Sequence, residues 1–422
     1  MAVPSQSGFL RGSDPTRPRS DAEVPFRDIV PKPDHPRIAG IETHNALSWC
    51  DSRRAIPEPG WLINRLDAKN LEKPYIGFTC DGKVREGVYK YERDEGAPTE
   101  QAAEAAKSLL EALDDAQRAA VQCGEVTDDD FRLWSNPELY MNPGGLRMDE
   151  CSEKVQDAVH ALIKASTSEE GYNTIWGCCL TNGFLGRLVN GRGVLNEHSY
   201  NFRLFGTPSL DQAWGFTFFG HHLCIAIVFK GKRMVIGPTF LGAEPDQIDE
   251  GPHKGLRLFQ FQEMAALRLM QGLPEGSQEK ALLSRGMDGK SLPPDRWNPF
   301  DERHLGGARQ DNRVVPLGKS TFSSKDPLLT VATEGCPVSE FTPEQKETVV
   351  QLFRSFNEYY PKAVLEQRTL NFKEYIDETY FAWIGGFEDQ DPYYYRIHSP
   401  VAFMEFDFHC GSKKSPAQEA HS

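Results

Sequence analysis

Nine cysteines are scattered along the chain and no two are spaced Cys-x-x-Cys, so neither a zinc knuckle nor a dithiol redox pair is encoded. No stretch reaches the ~18–20 uninterrupted apolar residues of a membrane span, and the opening residues contain no apolar core of the kind a secretory leader needs. Basic residues are not in excess either. The formal net charge is −14, which argues against nucleic acid and anionic membrane as partners. There is no phosphate-binding glycine loop, no Gly-x-Ser-x-Gly elbow, no His-Glu-x-x-His, no EF-hand loop and no dinucleotide fingerprint. Nucleotide cofactors and serine-hydrolase chemistry therefore find no support, and a cytoplasmic location with reduced thiols is expected.

What is present is the composition of an ordinary folded protein: 422 residues, 39% hydrophobic, 11% aromatic and 26% charged. Residues 1–36 are proline-rich and polar and read as a flexible arm, because such a segment buries too little apolar surface to offset its ordering entropy. Residues 37–97 form an N-terminal extension with a candidate hairpin about Asp81-Gly82. Residues 98–409 read as a single large α+β domain, with a mixed or mainly antiparallel central sheet and helices packed on it, followed by a polar tail over 410–422.

Within that domain, the Ala-, Leu- and Glu-rich run from Thr99 to Cys123 predicts one helix, and the spacing of Val155, Val159, Leu162 and Ile163 predicts a second between Asp149 and Gly171. The block AWGFTFFGHHLCIAIVFKGKRMVIGPTFLG predicts two long strands joined at Lys230-Gly231-Lys232, covered on both faces because apolar residues fall at odd and even positions alike. A helix follows near Phe261–Leu273, then a long loop over 284–326. Thr342-Pro343-Glu344-Gln345 carries a capping-box signature ahead of an apolar stripe at Val349, Leu352, Phe353 and Phe356. The segment PYYYRIHSPVAFMEFDFH predicts two further strands about Ser399-Pro400.

Several polar residues interrupt these apolar elements. Gly220-His221-His222 falls inside the predicted strand, where neighbouring side chains point to opposite faces, so one metal could take both imidazoles only if a bulge re-aimed one of them. The plainer alternative is that each histidine satisfies a buried hydrogen bond. Glu244 sits in the Gly- and Pro-punctuated turn that follows, a candidate ligand or a solvated loop carboxylate. In the last strand Phe403, Glu405, Asp407 and His409 share a face, with Arg396 and His398 able to pair across from the preceding strand. His198 precedes another strand pattern, and adjacent Cys178 and Cys179 diverge in any regular element and read as packing residues.

In this order, Trp214-Gly215-Phe216, Gly220-His221-His222-Leu223, Gly237-Pro238-Thr239-Phe240-Leu241-Gly242 with Pro245, and Tyr394-Tyr395-Arg396-Ile397 followed by Glu405-Phe406-Asp407 resemble the domain-of-unknown-function family numbered 3500, over roughly Thr99 to Asp407. Members continue past the Glu-Phe-Asp segment into a His-x-His motif, which beside Gly-His-His implies a metal centre; here the chain instead reads FHCGSKKSPAQEAHS, with His409 and His421. The expectation is a divalent transition metal held by His221, His222 and Glu244, with Glu405, Asp407 and Arg396 as catalytic groups in a hydrolytic or oxidative enzyme acting on a small organic molecule. The alternative is a non-catalytic binder of small molecules in which the histidine pair is structural.

Overall fold

The computed structural model describes residues 26–28, 30–56, 60, 63, 78–79, 85–88, 94–132, 137–139, 144–286, 329–330, 333–389 and 391–408. Most of the arm, the Asp81-Gly82 turn, nearly all of the 284–326 loop, His409 and the tail lie outside them. The described residues form an α+β protein whose two larger sheets are almost wholly antiparallel. Strand β1 (Phe78–Thr79) pairs in parallel with β9 (Leu329–Thr330) in a separate two-stranded sheet. In the first larger sheet the order is β2 (Leu146–Arg147), β3 (Tyr200–Phe205), β4 (Trp214–Gly220), β5 (Leu223–Lys230) and β6 (Arg233–Ile236), with β7 (Phe240–Leu241) pairing with the start of β5. Every residue of β3 and β4 is buried, as apolar residues on both faces of these strands require.

The block expected to make two strands makes four, β4 to β6 and the short β7. The chain reverses at His221-His222, so the histidines form a two-residue turn between β4 and β5 rather than lying within one strand. The Lys230-Gly231-Lys232 reversal is also present, between β5 and β6. The helices differ from expectation in a similar way. The run from Thr99 breaks into α2 (Thr99–Ala112) and α3 (Asp115–Val121), because Asp114 and Gln117 form a capping box that starts a new helix. Helix α1 (Ala46–Arg53) precedes them in the extension.

Beyond α4 (Glu153–Ser166) the chain turns at Thr167-Ser168 and enters α5 (Glu169–Leu188), a long helix buried along most of its length. Its glycines disguise it in the sequence, yet they are packing positions. A Cβ at Gly171 would lie 2.2 Å from the Tyr359 backbone, and one at Gly186 would lie 1.9 Å from the Leu195 carbonyl oxygen. Helices α2, α4 and α5 share one core with the first sheet.

A second core lies between α6 (Gln260–Gln271), α8 (Pro343–Phe356) and a sheet of β10 (Cys336–Pro337), β11 (Tyr380–Gly385), β12 (Tyr393–Ser399) and β13 (Ala402–Phe408). The short α7 (Glu275–Ala281) leads from α6 into β8 (Leu282–Ser284), the fifth strand, which pairs in parallel with β11. The capping box at Thr342 and Gln345 starts α8 as its sequence predicts, and Val349, Leu352 and Phe353 are buried in this core. The hairpin about Ser399-Pro400 is likewise present. The corner after α8 joins the two cores: Tyr359 and Tyr360 are buried in the first, where the Tyr360 hydroxyl bonds both the N–H and the carbonyl of Ile236 on β6, at 2.8 and 3.0 Å.

Candidate metal centre

The turn between β4 and β5 is held by its neighbours. Gly220 closes β4 against β3, where a Cβ would stand 2.7 Å from the Tyr200 ring and 2.9 Å from the Ser199 carbonyl oxygen. His222 has φ 54°, a left-handed conformation that costs a non-glycine residue about 1 kcal/mol. The Tyr200 hydroxyl donates to the His221 carbonyl at 3.2 Å, and the Gly242 N–H donates to the His222 carbonyl at 2.7 Å. Pairing of Leu241 with Leu223 lays the loop after β7 over the turn, and this pairing brings Glu244 to the histidines.

Three side chains meet there. Glu244 Oε2 lies 3.1 Å from His222 Nε2 and 3.8 Å from His221 Nε2, and the two imidazole centroids are 4.0 Å apart. One ligand atom from each residue falls within 4.8 Å of the others. His221 is buried, while His222 and Glu244 are partly open to solvent. Burial, reinforced by His222, holds the His221 imidazole well below its ordinary pKa despite the opposing Glu244, so it is neutral near pH 7. Burial alone would raise the Glu244 carboxyl, but the Arg37 guanidinium and the hydrogen bond from His222 outweigh it and keep the group ionised.

Asn182, on α5, decides which nitrogen of His221 is available. Its Nδ2 donates to the Asn196 carbonyl at 2.8 Å and to Ser199 Oγ at 2.9 Å, so its oxygen is the atom facing His221 Nδ1 at 2.8 Å. An amide oxygen only accepts, so Nδ1 carries the hydrogen and Nε2 keeps its lone pair, directed toward Glu244. Neutral imidazoles with a carboxylate are a donor set suited to zinc or iron. Two donors each about 2.1 Å from an ion stand roughly 3.0 Å apart at an octahedral angle and roughly 3.4 Å apart at a tetrahedral one. The observed 3.1 and 3.8 Å fit that requirement with small side-chain adjustments.

The other candidate residues lie on the second sheet. Register places Arg396 opposite Glu405 and Tyr394 opposite Asp407, so these four occupy one face, as the alternation predicts. Arg396 is fully buried and pairs with Glu334 at 3.2 Å, and the Tyr394 hydroxyl donates to Glu405 at 2.5 Å. Among the described residues Glu405 and Asp407 belong to no group of three metal-ligating side chains; His221, His222 and Glu244 form the one such group. His198 is separate again, its ring beside His160 and Trp176.

Two contributors were not singled out by sequence reasoning. Asn182 had a signal, an amide in the otherwise apolar stretch GCCLTNGFLG, where a polar group requires a partner. Arg37 had none, since it reaches Glu244 only through long-range folding, its Nη2 3.7 Å from Oε2.

The family described as a protein of unknown function (DUF3500) matches residues 95–422, and the chain belongs to that family. No curated protein and no solved structure matches the chain. Among the described residues, no helix is long and apolar enough to cross a membrane.

Proposed function

We propose that this protein is a metal-dependent enzyme acting on a small organic molecule, by hydrolysis or by oxidation, with His221, His222 and Glu244 holding a divalent transition metal. The observation that carries the reading is the convergence of three ligand atoms within 4.8 Å, one of them a lone pair fixed by Asn182. An ion there would supply Lewis acidity, activating water or oxygen. The chain's own residues contribute the rest: α5 orients His221 through Asn182, the β4–β5 turn presents both rings, and the loop after β7 delivers the carboxylate. We assign the protein to the reducing cytoplasm, on the scattered spacing of its cysteines.

A second reading has one observation in its favour. Glu244 already has partners in His222 and Arg37, so the cluster is satisfied without an ion and would suit a non-catalytic protein. Elemental analysis of protein purified without chelator separates the two, run beside His221→Ala and His222→Ala variants whose fold is checked by circular dichroism. Near one metal per chain, lost in a folded variant, is the expected result. Metal-free wild-type protein that also fails to take up added zinc, iron or manganese would overturn the enzyme reading.

A further inference from the structure

The face of the first sheet turned away from α2, α4 and α5 is buried, yet it is not purely apolar. Tyr200, Phe202, Phe216, Phe218, Ile225 and Ile227 belong to the core shared with those helices. Their neighbours along each strand, Asn201, Thr217, Phe219, Cys224 and Ala226, therefore point the other way. Each of these five is at most 2% exposed.

Register sets them in two rows across the strands. Phe240 on β7, Cys224 on β5, Phe219 on β4 and Asn201 on β3 make one row, and Ala226, Thr217 and Arg203 make the next. Phe219, Cys224 and Phe240 pack together as an apolar cluster separate from the main cores. The Phe240 ring in turn lies nearly parallel to His222, with centroids 6.4 Å apart. The first row thus leads from Asn201 to the candidate metal centre, a distance of roughly 10 Å for strands about 4.8 Å apart and a rise of about 3.4 Å per residue.

Two oxygens on this face are buried and have no hydrogen-bond partner among the described residues: Asn201 Oδ1 and Thr217 Oγ1. Arg203 beside them is directed elsewhere, its Nε donating to the Gly144 carbonyl at 3.1 Å and its guanidinium 5.1 Å from the centroid of the Phe219 ring. Buried polar atoms are rarely left unpaired, because their lost hydration is then not repaid. Asn201 and Thr217 occupy diagonal positions on adjacent strands, about 7 Å apart at their Cβ atoms, a gap that one bridging oxygen spans. A hydroxyl suits both ends, since it donates to the amide oxygen and accepts from the threonine. A carboxylate cannot donate to Oδ1, and a hydrocarbon serves neither atom.

We propose that Asn201 and Thr217 form a substrate-binding subsite for small organic molecules bearing a hydroxyl group, with the carbon skeleton lying along Phe219 and Phe240 toward His222. The direction of the skeleton rests on the metal reading above, whereas the hydroxyl subsite stands without it.

The test measures binding of benzyl alcohol and cyclohexanol, beside toluene and cyclohexane, by ligand-observed NMR. Full-length wild type, Thr217→Val and Asn201→Leu are compared, each metal-free and after addition of zinc. Wild type should prefer each alcohol to its hydrocarbon by about tenfold, and either variant should lose about tenfold in alcohol affinity with hydrocarbon binding unchanged. The ligand-free variants should unfold at no lower urea concentration than wild type, since the oxygens they lose have no protein partner to forfeit. If Asn201→Leu does not fold, Thr217→Val carries the comparison. A folded variant whose alcohol affinity stays within about twofold of wild type would overturn the assignment, as would wild type that binds hydrocarbons as well as alcohols or binds neither. Ligand-free Thr217→Val that unfolds earlier than wild type would overturn it too, by showing that a resident water is the oxygens' partner. Alcohol preference in protein that takes up no zinc would overturn the metal reading and leave the hydroxyl subsite standing; zinc uptake without alcohol preference would do the reverse.

Discussion

Replacing Asn182 with leucine separates the orientation of His221 from its mere presence. The leucine side chain is close in size to the amide, so little cavity is expected, and the change removes three hydrogen bonds of 2.8 to 2.9 Å. Two of the partners are covered: the Asn196 carbonyl keeps the Ser199 hydroxyl at 2.8 Å, and Ser199 Oγ keeps the Asn196 N–H at 3.0 Å. The His221 Nδ1–H is left alone in a buried position. An orphaned buried donor costs about 1–3 kcal/mol, which is the expected loss in urea denaturation. With nothing holding the hydrogen on Nδ1, Nε2 no longer presents a fixed lone pair, and metal affinity should fall about 10- to 100-fold, as for other partners behind a metal-bound histidine. Calorimetric titration with zinc measures the second effect, and long-range proton–nitrogen NMR reads the tautomer directly. A folded Asn182→Leu protein whose zinc affinity stays within about twofold of wild type would refute the positioning argument, as would a wild-type His221 protonated at Nε2.

Three other perturbations follow from the same geometry. His222→Gly relieves the positive φ and should leave stability within about 1 kcal/mol of wild type while abolishing metal binding; His222→Ala keeps the strain, so an alanine variant more stable than the glycine one would contradict the turn. His398 and His160 are each pushed down to about 4, chiefly by burial, so the native state keeps them neutral where the unfolded chain takes up protons. Their stabilising contribution is therefore full above about pH 6.5 and is lost as the pH falls toward 4; His398→Phe should flatten that limb of a pH–stability curve by close to one proton, and an unchanged slope would count against its neutrality. Tyr360→Phe leaves the Ile236 N–H and carbonyl without their hydroxyl partner and should cost about 1–3 kcal/mol in denaturant unfolding, a cost absent if the two cores were not coupled there.

Features set by short-range chemistry were legible in the sequence. The Thr342 capping box, the apolar stripe behind it and the alternation through Glu405 and Asp407 depend on neighbours within a few residues, and each is present. Longer-range outcomes were not. Helix α5 looks helix-poor because its glycines lower intrinsic propensity, whereas contacts with Tyr359 and Leu195 require them. The boundary at Asp114 was written in the sequence as a capping box, but the Ala- and Leu-rich composition on both sides masks it. The His221-His222 turn contains neither glycine nor asparagine at its left-handed position, so nothing in the apolar run around it announces a reversal.

That reversal determines what the histidines can do. Along a strand, consecutive side chains diverge to opposite faces, and two adjacent imidazoles would have served different environments. In the turn their centroids come within 4.0 Å and both Nε2 atoms look toward one carboxylate oxygen. A glycine at position 222 would make the turn cheaper, yet the chain carries a histidine there and places glycine instead at 242, where a Cβ would come within 3.2 Å of its ring. Strain retained at a residue with a chemically capable side chain, and space cleared around it by a neighbour, are what a ligand position requires and what a plain connecting turn does not. His221 alone, satisfied by Asn182, would be an ordinary buried histidine; the strained His222 beside it is the residue that gives the pair a common focus.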